Sequence, residues 1–170
     1  MPIDVQVTVD DKHAQSLLTA IELTLMGHNL FLYLRDYMQP YMRTRAAARF
    51  RGEGDDASGP WAALTAATEE IRTHGGFPPA HPINKRTGEL EAFMLRGVID
   101  HSWSVDSATM QYPGRPPTSS LREKLKTAQE GRVKPRTVPR PVARMNMTDM
   151  AYFTHNFVFW FGRESQRNFR

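Results

Sequence analysis

Residues 98–112, VIDHSWSVDSATMQY, decide the fold class of this 170-residue chain. Apolar and polar side chains alternate along this stretch, so that His101, Trp103 and Val105 share one side. An alternation of period two is typical of a half-buried strand, and Asp106 and Ser107 are turn-forming residues between its two halves. The stretch therefore predicts a β-hairpin.

Two helical runs precede the predicted hairpin. Asp10 or Asp11 can cap the first run, because a short carboxylate accepts hydrogen bonds from the free N–H groups of a first turn; Gly27 is expected to end or bend it. Pro40 is expected to kink or break the second run, because proline has no N–H to donate. The apolar positions at helical spacing are Ala14, Leu17, Leu18, Ile21 and Leu25, then Phe31, Leu34, Met38, Met42, Ala46 and Phe50.

The second run ends in four arginines, which suit the negative end of a helix dipole. They are Arg43, Arg45, Arg49 and Arg51. Thr65 is expected to cap a short helix from about Ala66 to His74, with glycines and prolines after it as a stop signal. Thr87 is expected to cap another short helix.

The chain after the hairpin predicts one strong helix. Thr148 is expected to cap it, and its apolar residues follow at spacings of three and four, which is typical of a helix face that packs on a core. These residues are Met150, Phe153, Phe157 and Trp160. Residues 121–130 suit either a short helix or an irregular arm.

Two further strands complete the predicted sheet. Ile3, Val5, Val7 and Val9 alternate with polar residues. Residues 133–138 suit an edge strand, because Pro135 and Pro139 have no N–H to donate to a strand ladder. We therefore predict an α+β fold: one two-layer domain over 1–170, in which a small, mostly antiparallel sheet packs against long N-terminal and C-terminal helices, with extended loops and arms. A basic arm is expected over about 113–144 and a frayed tail over 162–170.

Positive charge is concentrated in the predicted arm. Residues 115–144 hold nine basic and two acidic side chains, a net charge of +7, whereas the rest of the chain holds 13 basic and 16 acidic ones, a net charge of −3. The segment suits a solvated loop, a surface for an acidic protein, or a surface for nucleic-acid phosphates. It has no aromatic residue, which disfavours binding by base stacking.

The sequence predicts no catalytic, cofactor-binding or metal site. It has no cysteine, no H-x-x-x-H pair and no glycine-rich phosphate loop. Asp100, His101 and Ser102 are of triad residue types, but on a strand His101 points away from both neighbours. A small hydrolase using His101 or His155 is a minor alternative. No stretch approaches the roughly 18 consecutive apolar residues of a membrane span.

The three tryptophans differ in what their surroundings predict. Trp103 and Trp160 are expected in the core. Trp61 follows the glycine-rich loop GEGDDASGP (residues 52–60) and is expected to anchor that loop to the core or to anchor a partner, since tryptophan and arginine are enriched at interface hot spots.

A series of short motifs resembles a known family. The family pattern is Pro-x-Trp or Gly-x-Trp, and this chain carries Pro60 and Trp61, followed by Leu64 and Thr68. Then come a Thr-Gly-x-Leu segment at 87–90, a Gln-x-Gly turn at 129–131, and Val-Pro-Arg-Pro at 138–141, where the family carries Pro-Ala-Arg-Pro. In this order, over about residues 3–165, the motifs are similar to those of the tailed-bacteriophage virion morphogenesis or tail completion family, which includes head–tail joining (neck) proteins.

The resemblance implies a structural subunit rather than an enzyme. Members assemble as a ring, expected to be sixfold, at the junction of head and tail; the ring extends the DNA channel and contacts neighbouring connector and tail proteins. It also implies a place in the virion, after synthesis in the host cytoplasm. The candidate interface residues are Trp61, Arg132, Lys134, Arg136, Arg140 and Arg144. The alternative is a nucleic-acid-binding module that uses the arm at 115–144.

Overall fold

The computed structural model describes residues 11–55, 59–80, 83, 87–131 and 145–169. Over these residues the fold is α+β, with helices at both ends and short antiparallel hairpins. The helices are α1 (Asp11–Leu25), α2 (Gly27–Tyr33), a π-helical segment (Leu34–Met38), α3 (Gln39–Gly52), α4 (Ala66–His74), α5 (Glu89–Arg96), α6 (Ser119–Glu130) and α7 (Met147–Asn168). The strands are β1 (Gly54–Asp55), β2 (Gly59–Pro60), β3 (Asp100–Trp103) and β4 (Ala108–Gln111).

The predicted hairpin is confirmed. Strands β3 and β4 pair antiparallel, with His101 opposite Met110 and Trp103 opposite Ala108. The hairpin packs on α2. The other predicted strands, at residues 3–9 and 133–138, lie outside the described residues.

The hairpin tip is fastened to the joint between α1 and α2. The chain bends by 58° between these helices, and the Gly27 N–H donates to the Val105 carbonyl at 2.9 Å. A Cβ at position 27 would overlap the carbonyl oxygens of Ser104 and Ser107. Gly27 therefore marks the bend, as predicted, because only glycine lets the tip approach this closely.

Of the two outcomes predicted at Pro40, a kink or a break, the break is wrong. The helix continues from Gly27 to Gly52, and its irregularity is the π-helical segment just before α3, where the Gln39 N–H donates to the Leu34 carbonyl. The wider turn changes the hydrogen-bond register where proline supplies no donor. Pro40 then lies in the first turn of α3, where proline is well tolerated.

A compact core forms where α3, α5 and α6 meet. Phe50 and Met94 are almost fully buried, and Leu121 of α6 closes this core from the other side. The Trp61 N–H donates to the Glu53 carbonyl at 2.6 Å, which holds the chain after the β1–β2 hairpin against α3. Residues 121–130 belong to α6. The predicted arm at 113–144 is therefore not extended throughout.

Two predicted caps are wrong, and one is confirmed. Thr65 caps α4 as predicted. Gly88, at φ 71°, rather than Thr87, precedes α5. Asn146, rather than Thr148, caps α7 through a capping box with Asp149. In this box each residue's side chain accepts from the other's backbone N–H, so two free donors are satisfied together.

The predicted fraying of residues 162–170 is wrong over the described part. Helix α7 continues to Asn168 because α1 packs on its last turns. Thr24, which is fully buried, accepts from Asn168 Nδ2 at 3.0 Å and lies 3.3 Å from Ser165 Oγ.

No single helix of the described chain is long and apolar enough to cross a membrane, although α1 and Gly27–Gly52 pass that test as a bent pair.

We expect Gly27→Ala to destabilise the protein by about 1–3 kcal/mol, the usual cost of overpacking, because its Cβ would overlap the hairpin tip. Urea unfolding followed by tryptophan fluorescence measures this loss. Gly162→Ala is the control, because nothing lies within 4 Å of its Cβ position in α7, and it should stabilise the helix by about 1 kcal/mol. Equal stability of Gly27→Ala and the natural chain would show that the tip does not need this approach.

Candidate interaction surface

A buried carboxylate joins the start of α7 to α3. Asp149 is fully buried and accepts from Arg45 Nε at 3.0 Å, from an Arg49 guanidinium nitrogen at 3.1 Å and from the Tyr41 hydroxyl at 2.8 Å. It also accepts from the Asn146 backbone N–H. A buried charge is tolerated when it is paired and hydrogen-bonded in this way.

The arginines at the end of α3 therefore do more than the sequence predicts. Arg45 and Arg49, four residues apart, lie on one face of α3 and turn inward to Asp149. Arg43 donates to the Gly97 carbonyl at 3.0 Å. The capping-box residue at 149 and the i, i+4 arginine pair were visible in the sequence, but only the fold brings them together.

Three tyrosine hydroxyls donate inside the protein. Tyr33 donates to the Phe153 carbonyl at 3.0 Å, Tyr41 to Asp149 and Tyr112 to the Met94 carbonyl at 2.7 Å. Burial is the main cause that raises the pKa of each from 10.0 to about 12. For Tyr41 the hydrogen bond to Asp149 adds to this shift.

An aromatic group lies on the outer side of α2. Trp103 stacks on Phe31 with ring centroids 4.5 Å apart, and His28 and His101 contact these rings edge-on or tilted. The prediction that Trp103 belongs to the core is wrong, because 53% of it is exposed. The core position of Trp160 is confirmed.

The predicted interface residues divide into two groups. Trp61 is only 8% exposed and packs edge-on against Phe50 in the core, so it anchors its loop, which is the first of its two predicted roles. Tryptophan's large apolar ring explains this burial better than a hot-spot role. The other five residues, Arg132, Lys134, Arg136, Arg140 and Arg144, lie outside the described residues.

The described part of the basic segment borders a shallow groove. Arg115, Arg122 and Lys126 line this groove of about 510 Å³ together with Glu130. Lys124, also on α6, pairs with Glu89 of α5. Across the parts of the chain that the structure describes, no group of three or more His, Asp or Glu side chains could hold a metal ion.

Two helix faces carry apolar side chains that the described fold leaves exposed. On α1, Leu17 and Leu18 are 47% and 59% exposed. On α7, Val158 and Phe159 are 62% and 67% exposed. Each helix buries a different side, through Ala20 and Thr24 in α1 and through Phe153 and Trp160 in α7. The apolar stripe that predicted α1 is therefore largely bare.

Comparison with models of protein families, with curated proteins and with solved structures finds no match for this chain. The function must therefore be argued from its own residues and surfaces.

We expect Asp149→Asn to destabilise the protein by about 3–5 kcal/mol, because it leaves two guanidinium groups without their buried counter-charge. Chemical unfolding measures the loss. Asp36→Asn is the control, since Asp36 is exposed and pairs with its neighbour Arg35, and such surface pairs contribute little. Equal effects of the two substitutions would contradict the role given to Asp149.

The raised tyrosine pKa values predict a loss of stability at alkaline pH. In the unfolded chain tyrosine ionises near pH 10, whereas these three resist ionisation until about pH 12. The stability that these neutral tyrosines contribute to the folded protein is therefore fully present below pH 10 and is lost as the pH rises to 12. Urea unfolding across this range measures it. Tyr112→Phe should make the decline shallower, and an unchanged slope would contradict the assignment for Tyr112.

Proposed function

We propose that this chain is a non-catalytic structural subunit of a ring at the head–tail junction of a tailed bacteriophage, where it joins head to tail and extends the DNA channel. The observation that carries the proposal is the order of the motifs at 60–68, 87–90, 129–131 and 138–141. The described residues of these motifs have structural roles that support the proposal. Trp61 fastens its loop to α3. Gly88 and Gly131 have φ values of 71° and 74°, a backbone conformation that favours glycine.

The exposed apolar faces of α1 and α7 support a subunit role. Soluble monomers rarely leave large apolar patches bare, and such patches mark contacts with other molecules. Neither helix brings acidic or basic side chains into its apolar stripe, as expected for surfaces that become buried in an assembly.

Nucleic-acid binding is the second candidate. Arg115, Arg122 and Lys126 beside the groove on α6 favour it, because phosphate contacts come mainly from such side chains. Glu130 in the same groove and the Lys124–Glu89 pair reduce the local positive charge. DNA in a channel must also slide, so we place an acidic neighbouring protein first as the arm's partner.

Deletion of the gene from the phage that encodes this chain should leave filled heads and free tails side by side in negative-stain images. The natural chain should restore joining, as should the control Ile71→Glu, which changes an exposed residue of α4. A triple reversal to glutamate at Arg136, Arg140 and Arg144 should restore it less well.

Other outcomes change the assignment. Tails of abnormal length would move the ring to the tail terminus. Intact, infectious virions without this protein would remove the proposal and bring nucleic-acid binding forward. Full complementation by the triple reversal would show that the arm is only solvated.

A further inference from the structure

The bare face of α7 lies along its first three turns. Met147, Met150, Ala151, Thr154 and Val158 follow at spacings of one, three and four, which places them on one side of the helix, and all five are exposed. Residues 150–162 contain no aspartate, glutamate, lysine or arginine, and His155 is their one titratable imidazole. Further along α7, Ser165 and Asn168 contact α1. The bare face is therefore the part of α7 that precedes the region covered by α1.

The bare face of α1 has the same character but a different sequence. Ala14, Leu17, Leu18, Ile21 and Leu25 share one side of the helix. Residues 13–21 contain no charged side chain apart from any protonated histidine. The buried side of α1 carries Ala20 and Thr24, of which Thr24 hydrogen-bonds to α7, and it lies about a quarter-turn away from this stripe.

We propose that the α1 face of one copy of this chain binds the α7 face of the next copy. The chemistry favours a second copy over other occupants. Interfacial membrane helices carry lysine and arginine on their polar side beside the apolar one, and nucleic acids require basic contacts. Two uncharged apolar helix faces, by contrast, can pack together without burying an unpaired charge.

The area is sufficient for a specific contact. Leu17, Leu18 and Leu25 on one face and Met147, Met150 and Val158 on the other are between 39% and 83% exposed. From these fractions and the side-chain sizes, the two faces present on the order of 600 Å² of apolar surface together. Since apolar atoms form about 57% of a typical interface, the contact would bury about 1,050 Å², just above the roughly 1,000 Å² that a specific interface must reach.

The two faces differ, so the contact is head-to-tail, and every copy keeps one free face of each kind. Contacts of this type form rings when the rotation closes and filaments when it does not. This inference rests on the proposed function only for the expectation of closure; the contact itself is a property of the isolated chain.

Two single variants and their mixture test the contact. Leu18→Glu blocks the α1 face and Val158→Glu blocks the α7 face, and each change places a carboxylate where the partner helix must dehydrate it. We expect the natural chain to self-associate in analytical ultracentrifugation, and each variant alone to be monomeric, with affinity at least tenfold weaker. The 1:1 mixture should form a discrete heterodimer, because one good face of each kind remains. Ile71→Glu should associate like the natural chain, and circular dichroism confirms that all variants fold.

Other results overturn the inference. A dimer formed by either single variant alone means that one face binds its own copy. A mixture that stays monomeric means that these faces do not meet. A monomeric natural chain that sediments with phosphatidylcholine vesicles assigns the faces to a lipid surface, and one that remains monomeric without lipid binding also overturns the contact. If the heterodimer forms but virions lacking the protein are intact, the contact stands and the neck proposal fails.

Discussion

The pairing of Asp149 with Arg45 and Arg49 is the constraint on which the arrangement of α7 depends. These residues are about 100 positions apart in the chain, and a buried carboxylate without them would be strongly unfavourable. Asp149 also forms the capping box that begins α7. One side chain therefore determines both where the last helix starts and which side of α3 it contacts. Once α7 is oriented in this way, Phe153 and Trp160 point inward and Val158 points outward.

The sequence predicts those elements whose signal is local. Alternation over 98–112 predicted the hairpin, and a good cap with a glycine-rich stop predicted α4. Gly27 was recognised as the bend because glycine is a strong local signal. The predictions that failed depend on distant partners. Thr148 is a good cap by type, but Asn146 is placed to exchange hydrogen bonds with a carboxylate that α3 has already bound. The last residues were expected to fray because the polarity of the tail gives no sign of α1 against them.

The interaction surface could be predicted only in part. Periodicity identifies an apolar stripe on α1, but it does not say whether the stripe is covered, and Leu18 is exposed where a core residue was expected. The two tryptophans Trp103 and Trp61 show the same ambiguity: Trp103 was expected in the core and is exposed, whereas Trp61 was a candidate for an interface and is buried. By composition alone, an aromatic side chain suits a core and an interface equally well. Which of the two is exposed follows from chain geometry: Trp61 is held beside Phe50 by a backbone hydrogen bond, whereas Trp103 lies at the end of a short hairpin.

The hydrogen bond between Gly27 and Val105 has a consequence for the direction in which α1 projects. The hairpin tip acts as a brace at the 58° bend between α1 and α2, and α2 in turn packs on α7 through Tyr33. The angle between the bare face of α1 and the bare face of α7 therefore depends both on the direct packing of α1 against the end of α7 and on the backbone contacts around Gly27. In any head-to-tail array of this chain, the rotation from each subunit to the next depends on that angle, so the brace at Gly27 contributes to the curvature of the array.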